Sequence, residues 1–242
     1  MKTEMRVMTV GDLAVEIVRK DVKHVRLTVY PTDGRVRVAA PRRLGDEAIV
    51  GAIEARLGWI RRKRADILAR ERPGSHACVT GEHHQVEGMP YRLDVVERPG
   101  PSVVTLRDNR TLELRVRPGS DRAAREAVLL GWYRERLREL IPPLLSKWQP
   151  IMGVEAAEWR IKRMMTRWGT CNIAARRIWL NLELAKASPE CLEYVVVHEL
   201  VHLLERHHNA RFTGFMDRFL PDWRQRRDDL NRGPLPNVSG VD

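Results

Sequence analysis

The stretch Tyr194-Val-Val-Val-His198-Glu199-Leu-Val-His202-Leu-Leu-Glu205 constrains this chain more than any other. It carries His-Glu-x-x-His in an apolar run with Leu192, Val195, Val196, Leu200, Leu203 and Leu204. Four residues make a little over one helical turn, so two histidines at that spacing project from one face with their rings converging. A zinc ion takes two imidazoles in that way. Glu199 leans beside the pair, where it can handle a metal-bound water without occupying the metal. Ser188-Pro189 reads as an N-cap followed by a proline in the first turn, so the spacing predicts a helix from about Pro189 to about Glu205.

A histidine on an apolar helix is often only a satisfied core residue, and a five-residue motif also arises by chance. Two observations favour a metal. His207-His208 follows closely, with Asn209 placed to cap a new helix and turn the chain, so a third ligand is within reach. Burying His198, Glu199 and His202 among valines and leucines is costly unless something satisfies them. The residues therefore read as a catalytic site for one Zn2+ ion, with three protein ligands and one open position.

Composition sets the outer limits. A chain of 242 residues, 43% hydrophobic, can bury a sizeable core. It has no apolar run near 18 residues and no signal-peptide pattern at its start, which leads us to expect a soluble, cytoplasmic protein with no membrane partner. Cys78, Cys171 and Cys191 form no disulfide framework, as suits a reducing compartment. The net charge of +11 admits a nucleic-acid partner, but the arginines are spread along the chain, so a generally arginine-rich composition is the preferred account.

The expected fold class is α+β: an N-terminal antiparallel β region with one helix, then a small zincin-like helical core with a short sheet. Residues 1–117 are assigned to the first part, 118–232 to the second, and 233–242 to a disordered tail. Strands are expected at Leu13–Arg19, Val25–Tyr30 and Arg35–Ala39, with Asp33-Gly34 as a hairpin turn. One long helix should follow from Gly45 to about Arg70, its basic Arg61–Arg64 stretch a solvated face. After a loop at Arg72–Ser75, short strands are expected at Cys78–Val79, His83–Val86, Tyr91–Val96, Val103–Leu106 and Thr111–Val116. His76, His83 and His84 among them read as surface residues, since neighbouring residues in a strand face opposite ways. Ser120–Leu140 reads as a helix that Pro142-Pro143 should kink or break. Glu158–Met165 and Arg176–Leu184 are expected as partner strands with Thr166–Asn172 a loop between them. Two helices should close the fold, at Ala210–Leu220 and from Trp223 to about Leu230.

Read in order, Arg167-Trp168-Gly169-Thr170-Cys171, Ile178-x-Leu180-Asn181, Tyr194 to Leu203, His208, Phe212, Met216 and Pro221-Asp222-Trp223 closely resemble the YgjP-like zinc metallopeptidases, relatives of the SprT-like proteases. Asp33-Gly34, Ala40-Pro41 and Trp59-Ile60 extend the resemblance upstream, over most of the chain. It implies His208 as the third ligand beside His198 and His202. Thr170, His207 and Thr213 depart from the family pattern, and His207 leaves a rival ligand one residue away. On this reading Glu199 is the base that activates a zinc-bound water for attack on a peptide bond. Arg167 and His207 are candidates to stabilise the oxyanion, while Trp168, Gly169 and Cys171 shape the site. Cys171 remains an alternative ligand. Strand Ile178–Leu184 is the edge on which an extended peptide would add. The expected partner is thus a peptide or protein substrate, with oligomeric state unread. Two other readings stay open: a zinc hydrolase of nucleoside triphosphates of the pyrophosphatase type, and a protease acting on DNA-associated proteins, the latter disfavoured because no zinc ribbon or helix-turn-helix is present.

Overall fold

The computed structural model describes residues 4–30, 33–69, 77–108 and 110–232, which form two compact units, Met1–Gly74 and Ser75–Asp242. The tail 233–242, the loop 72–75, His76 and Asn109 lie outside the described residues.

The first unit is a four-stranded sheet with two helices. Its strands are β1 (Glu4–Val10), β2 (Leu13–Lys20), β3 (Arg26–Val29) and β4 (Val36–Pro41), in spatial order β1-β2-β4-β3. Alternation explains the burial: Val15 and Ile17 of β2 lie opposite Val36 and Val38 of β4, and all four point to the covered face. Asp33-Gly34 does turn β3 into β4, with Gly34 at φ +69°. The helix expected as one piece is two, α1 (Asp46–Glu54) and α2 (Leu57–Ala69), and it lays Ile49, Ile53 and Ile60 on the sheet. β1 was not anticipated. Nor is the sheet wholly antiparallel, because β2 and β4 pair in parallel.

The second unit opens with β5 (His83–Val86), β6 (Met89–Glu97), β7 (Val103–Arg107) and β8 (Thr111–Val116), in order β5-β6-β8-β7, again with a central parallel pair. Cys78–Val79 is not a strand. The sequence assigns these strands to the N-terminal region, but Leu93, Leu112, Leu114 and Val116 share one core with the helices that follow. That shared core is why the compact unit begins at Ser75 and not near residue 118.

The long helix α3 (Arg122–Met152) spans 31 residues, about 46 Å. Asp121 caps it by accepting from the Ala124 amide. It continues through Pro142 and Pro143, against expectation. Each proline removes one backbone donor, but Leu129, Tyr133, Leu137, Ile141, Leu145 and Trp148 form a buried stripe that anchors the helix on both sides of the pair.

A three-stranded sheet follows: β9 (Glu158–Lys162), β10 (Gly169–Asn172) and β11 (Arg177–Asn181), in order β10-β11-β9. Two expectations are corrected here. The segment 166–172 is not all loop, since β10 pairs antiparallel with β11. The second strand stops at Asn181, and Leu182–Lys186 form a 3-10 turn capped by the Asn181 side chain, which accepts from the Glu183 amide. The unit ends with α4 (Pro189–Val201), α5 (Ala210–Phe219) and α6 (Trp223–Arg232). Among the described residues no helix is long and apolar enough to cross a membrane.

Candidate metal centre

α4 is a buried helix, not an amphipathic one: Cys191, Leu192 and every residue from Tyr194 to Val201 lie inside. Ser188 caps it by accepting from the Cys191 amide, and Pro189 occupies the first turn. The helix ends at Val201 with His202 as C-cap, a turn sooner than the spacing predicted. Asn209 then caps α5 by accepting from the Phe212 amide, and this reversal brings His208 back over the first two histidines.

The three imidazoles converge through the same nitrogen. His198 Nε2 lies 3.2 Å from His202 Nε2 and 3.0 Å from His208 Nε2. Two ligands of a tetrahedral zinc, each at about 2.05 Å, stand roughly 3.3 Å apart. The set therefore fits a small divalent cation, and these three residues could hold a metal ion. Phe212 packs its ring against all three. His202 Nδ1 points to the Glu205 carbonyl at 3.2 Å, which fixes the tautomer that presents Nε2 as a lone pair. Burial, reinforced by the other two histidines, holds His198 well below the usual imidazole range, so it is available as a neutral ligand at pH 7. His207, the rival by sequence, lines the cleft outside this cluster.

Glu199 is 2% exposed, and its Oε2 has no hydrogen-bond partner. Burial pushes its carboxyl up to about 8, against an opposing pull from the Arg167 charge. Gly169, the first residue of β10, presses against it. A Cβ placed on Gly169 would come within 2.7 Å of the Glu199 Cγ and Cδ, so only glycine fits there. Sequence reading put Gly169 near the site but did not see this contact, because nothing local to residue 169 demands a glycine.

Asn181 was also missed as a site residue. It is fully buried, and its side chain makes four bonds: Nδ2 donates to the Met164 and Arg167 carbonyls at 2.9 and 2.8 Å, while Oδ1 accepts from the Met164 and Glu183 amides. Its own amide donates to the Trp168 carbonyl at 2.8 Å. Asn181 thereby pins the loop that presents Arg167 and delivers Gly169 to Glu199.

These groups line an open cleft of about 980 Å³. Arg167, Gly169, Thr170, Cys171 and Asn172 form one wall, and His202 to His208 with Glu199 form the other. Cys171 is not in the cluster of converging ligand atoms, and burial with the Glu199 charge lifts its thiol to about 12. Trp168 is buried, as expected of a supporting residue. The substrate edge expected at Ile178–Leu184 is overturned: β11 has a strand on each side, so its backbone groups are already paired. The free edge at the cleft is β10.

A YgjP-like metallopeptidase domain matches residues 23–233. The chain belongs to the YgjP-like metallopeptidase family. Among solved structures, it is similar to the metallopeptidase zymogen abylysin of Pyrococcus abyssi, at 20% identity and a TM-score of 0.35, over 37% of this chain and 90% of that one. No curated protein matches. Membership makes this YgjP-like chain a metallopeptidase, and three converging histidines beside a buried carboxyl are a donor set suited to that activity.

Proposed function

We propose that the protein hydrolyses peptide bonds with one zinc ion held by His198, His202 and His208 and with Glu199 as general base. The observation that carries this reading is the convergence of three Nε2 atoms beside a buried carboxyl whose Oε2 has no partner. When bound, zinc acidifies a water and polarises a carbonyl. Glu199 takes the proton from the attacking water and returns it to the leaving amine. Its position beside the three converging histidines, with Oε2 unpartnered, supports that role. Gly169 and the Asn181-bound loop keep the carboxyl from swinging away.

An extended substrate pairs with the free edge of β10, where Gly169 to Asn172 line the cleft. Arg167 and His207 line the cleft and are our candidates to stabilise the oxyanion that develops at the scissile carbonyl. Incubating zinc-loaded protein with casein and, separately, with nucleoside triphosphates tests the reading. Casein cleavage that Glu199→Gln abolishes while the protein keeps its zinc is the expected result. Release of pyrophosphate without proteolysis would overturn the peptidase in favour of a nucleotide hydrolase.

A further inference from the structure

The three-stranded sheet has a second edge with no strand beside it, β9, on the side away from the cleft strand, where Arg134 of α3 donates to the Ile161 carbonyl. A cavity of about 520 Å³ runs along it. Trp159 and Ile161 border it from the core face of β9, and Arg160 with Trp179 of β11 border it from the outer face. Arg134 and Arg138 reach it from α3. No carboxylate is among its lining residues.

The charges there are only partly satisfied. Arg134 is half-buried and donates to the Ile161 carbonyl at 3.0 Å, with no carboxylate paired to it among the described residues. Arg160 lies 5.3 Å over the Trp179 ring, and Lys162 lies 6.0 Å from the same ring. The Arg138–Glu135 and Arg160–Glu158 pairs are surface contacts of the kind a ligand readily exchanges.

We infer that the β9 edge is an exosite for an extended acidic segment of a polypeptide substrate, a reading that rests on the peptidase activity proposed above. A strand added to β9 takes the Ile161 carbonyl from Arg134, freeing that guanidinium for an acid, and sends successive side chains to opposite faces. One set meets Arg134 and Arg138 beside Trp159. The other meets Arg160 and Lys162 beside Trp179. Cations on both faces favour acids on both faces, and the two indoles offer apolar contact between them. Edge backbone groups have a use for a peptide and none for a nucleotide, which selects a polypeptide among anionic ligands.

Binding is measured by fluorescence anisotropy on the Glu199→Gln protein, so that nothing is cleaved, with a short labelled peptide rich in Glu and Phe. The expected result is salt-sensitive binding, weakened roughly tenfold by Arg134→Gln or Arg160→Gln and lost when alternate peptide nitrogens are methylated. Arg134→Gln keeps a donor for the Ile161 carbonyl, and its melting temperature checks that the fold survives. In the active enzyme the same variant should raise KM for acidic substrates while leaving turnover of a short neutral peptide unchanged. No binding, binding indifferent to both variants or to methylation, or equal competition by oligothymidylate would overturn the exosite; the cations would then serve to keep this edge from pairing with other chains. Binding is read without turnover, so a protein that holds the peptide but cleaves nothing sinks the peptidase reading alone.

Discussion

Two sheets in this protein share one strand plan and differ in what their hairpins touch. β1-β2-β4-β3 and β5-β6-β8-β7 each place an antiparallel hairpin beside a central parallel pair. The first hairpin turns at Gly11-Asp12, and Asp12 pairs with the exposed Arg61. The second turns at Glu87-Gly88, both at positive φ, and is bound on several sides. Its two amides donate to the Ala185 and Lys186 carbonyls, each at 3.0 Å, and Glu87 pairs with Arg136 of α3. Gly88 is so close to Ser188 that a Cβ there would sit 3.0 Å from the Ser188 Cα. The tip of the second sheet thus braces the residue that caps the histidine-bearing helix. The same strand plan serves a self-contained core in one unit and buttresses the site in the other.

That contrast predicts where substitutions should reach the chemistry. The largest effect is expected at the centre itself. His202→Ala should lose the metal and lower turnover by about 1000-fold or more, whereas Val38→Ala in the first core should lower stability by roughly 1–3 kcal/mol and leave kcat alone. Metal content, thermal unfolding and turnover measured together separate the two. A fall in kcat for Val38→Ala would join the units in a way this comparison denies.

Next comes Gly169→Ala, which should cost about 100-fold in kcat with metal retained, because the new methyl displaces Glu199 by about 1 Å. Unchanged kcat would mean the carboxyl has room to move without penalty. The two hairpin glycines then test the contrast directly. Gly11→Ala meets only backbone strain, about 1 kcal/mol. Gly88→Ala adds the contact with Ser188, so it should cost roughly 2–3 kcal/mol and also weaken metal binding. Equal effects from both would remove the bracing role of the second hairpin.

The smallest effect concerns acid. Glu193 of α4 is desolvated, which would raise its proton affinity, but Lys147, Arg226 and Trp148 donate to it and hold its carboxyl below the usual range. Its folded value is lower than its unfolded one. The stabilisation is therefore present above the unfolded value and is lost as pH falls through the folded one. Glu193→Gln should flatten the acid limb of the stability curve by about 1 kcal/mol, with a smaller change for Glu16→Gln in the first sheet, whose partners Arg35 and Arg37 are more exposed than Arg226.

Much of this was legible in the order of residues, and for local reasons. Caps at Ser188 and Asn209, the alternation in β2 and β4, the Asp33-Gly34 turn and the spacing of His198 and His202 all depend on neighbours within a few positions. The failures involve partners far apart in sequence. Pro142 and Pro143 argued for a break, but a buried stripe spanning both sides outweighs two missing donors. Residues 169–172 lack a strand's composition, yet β11 supplies the pairing.

For the site, the pattern of residues determined the chemistry on offer: two imidazoles one turn apart, a carboxyl between them and a third imidazole after a cap. Tertiary structure alone decided which strand edges stay open and that Gly169 and Asn181 hold Glu199 in place. The reason is physical. Ligand spacing on a helix is set by its rise and twist, while the fit of a carboxyl against a distant glycine exists only once the intervening chain has packed.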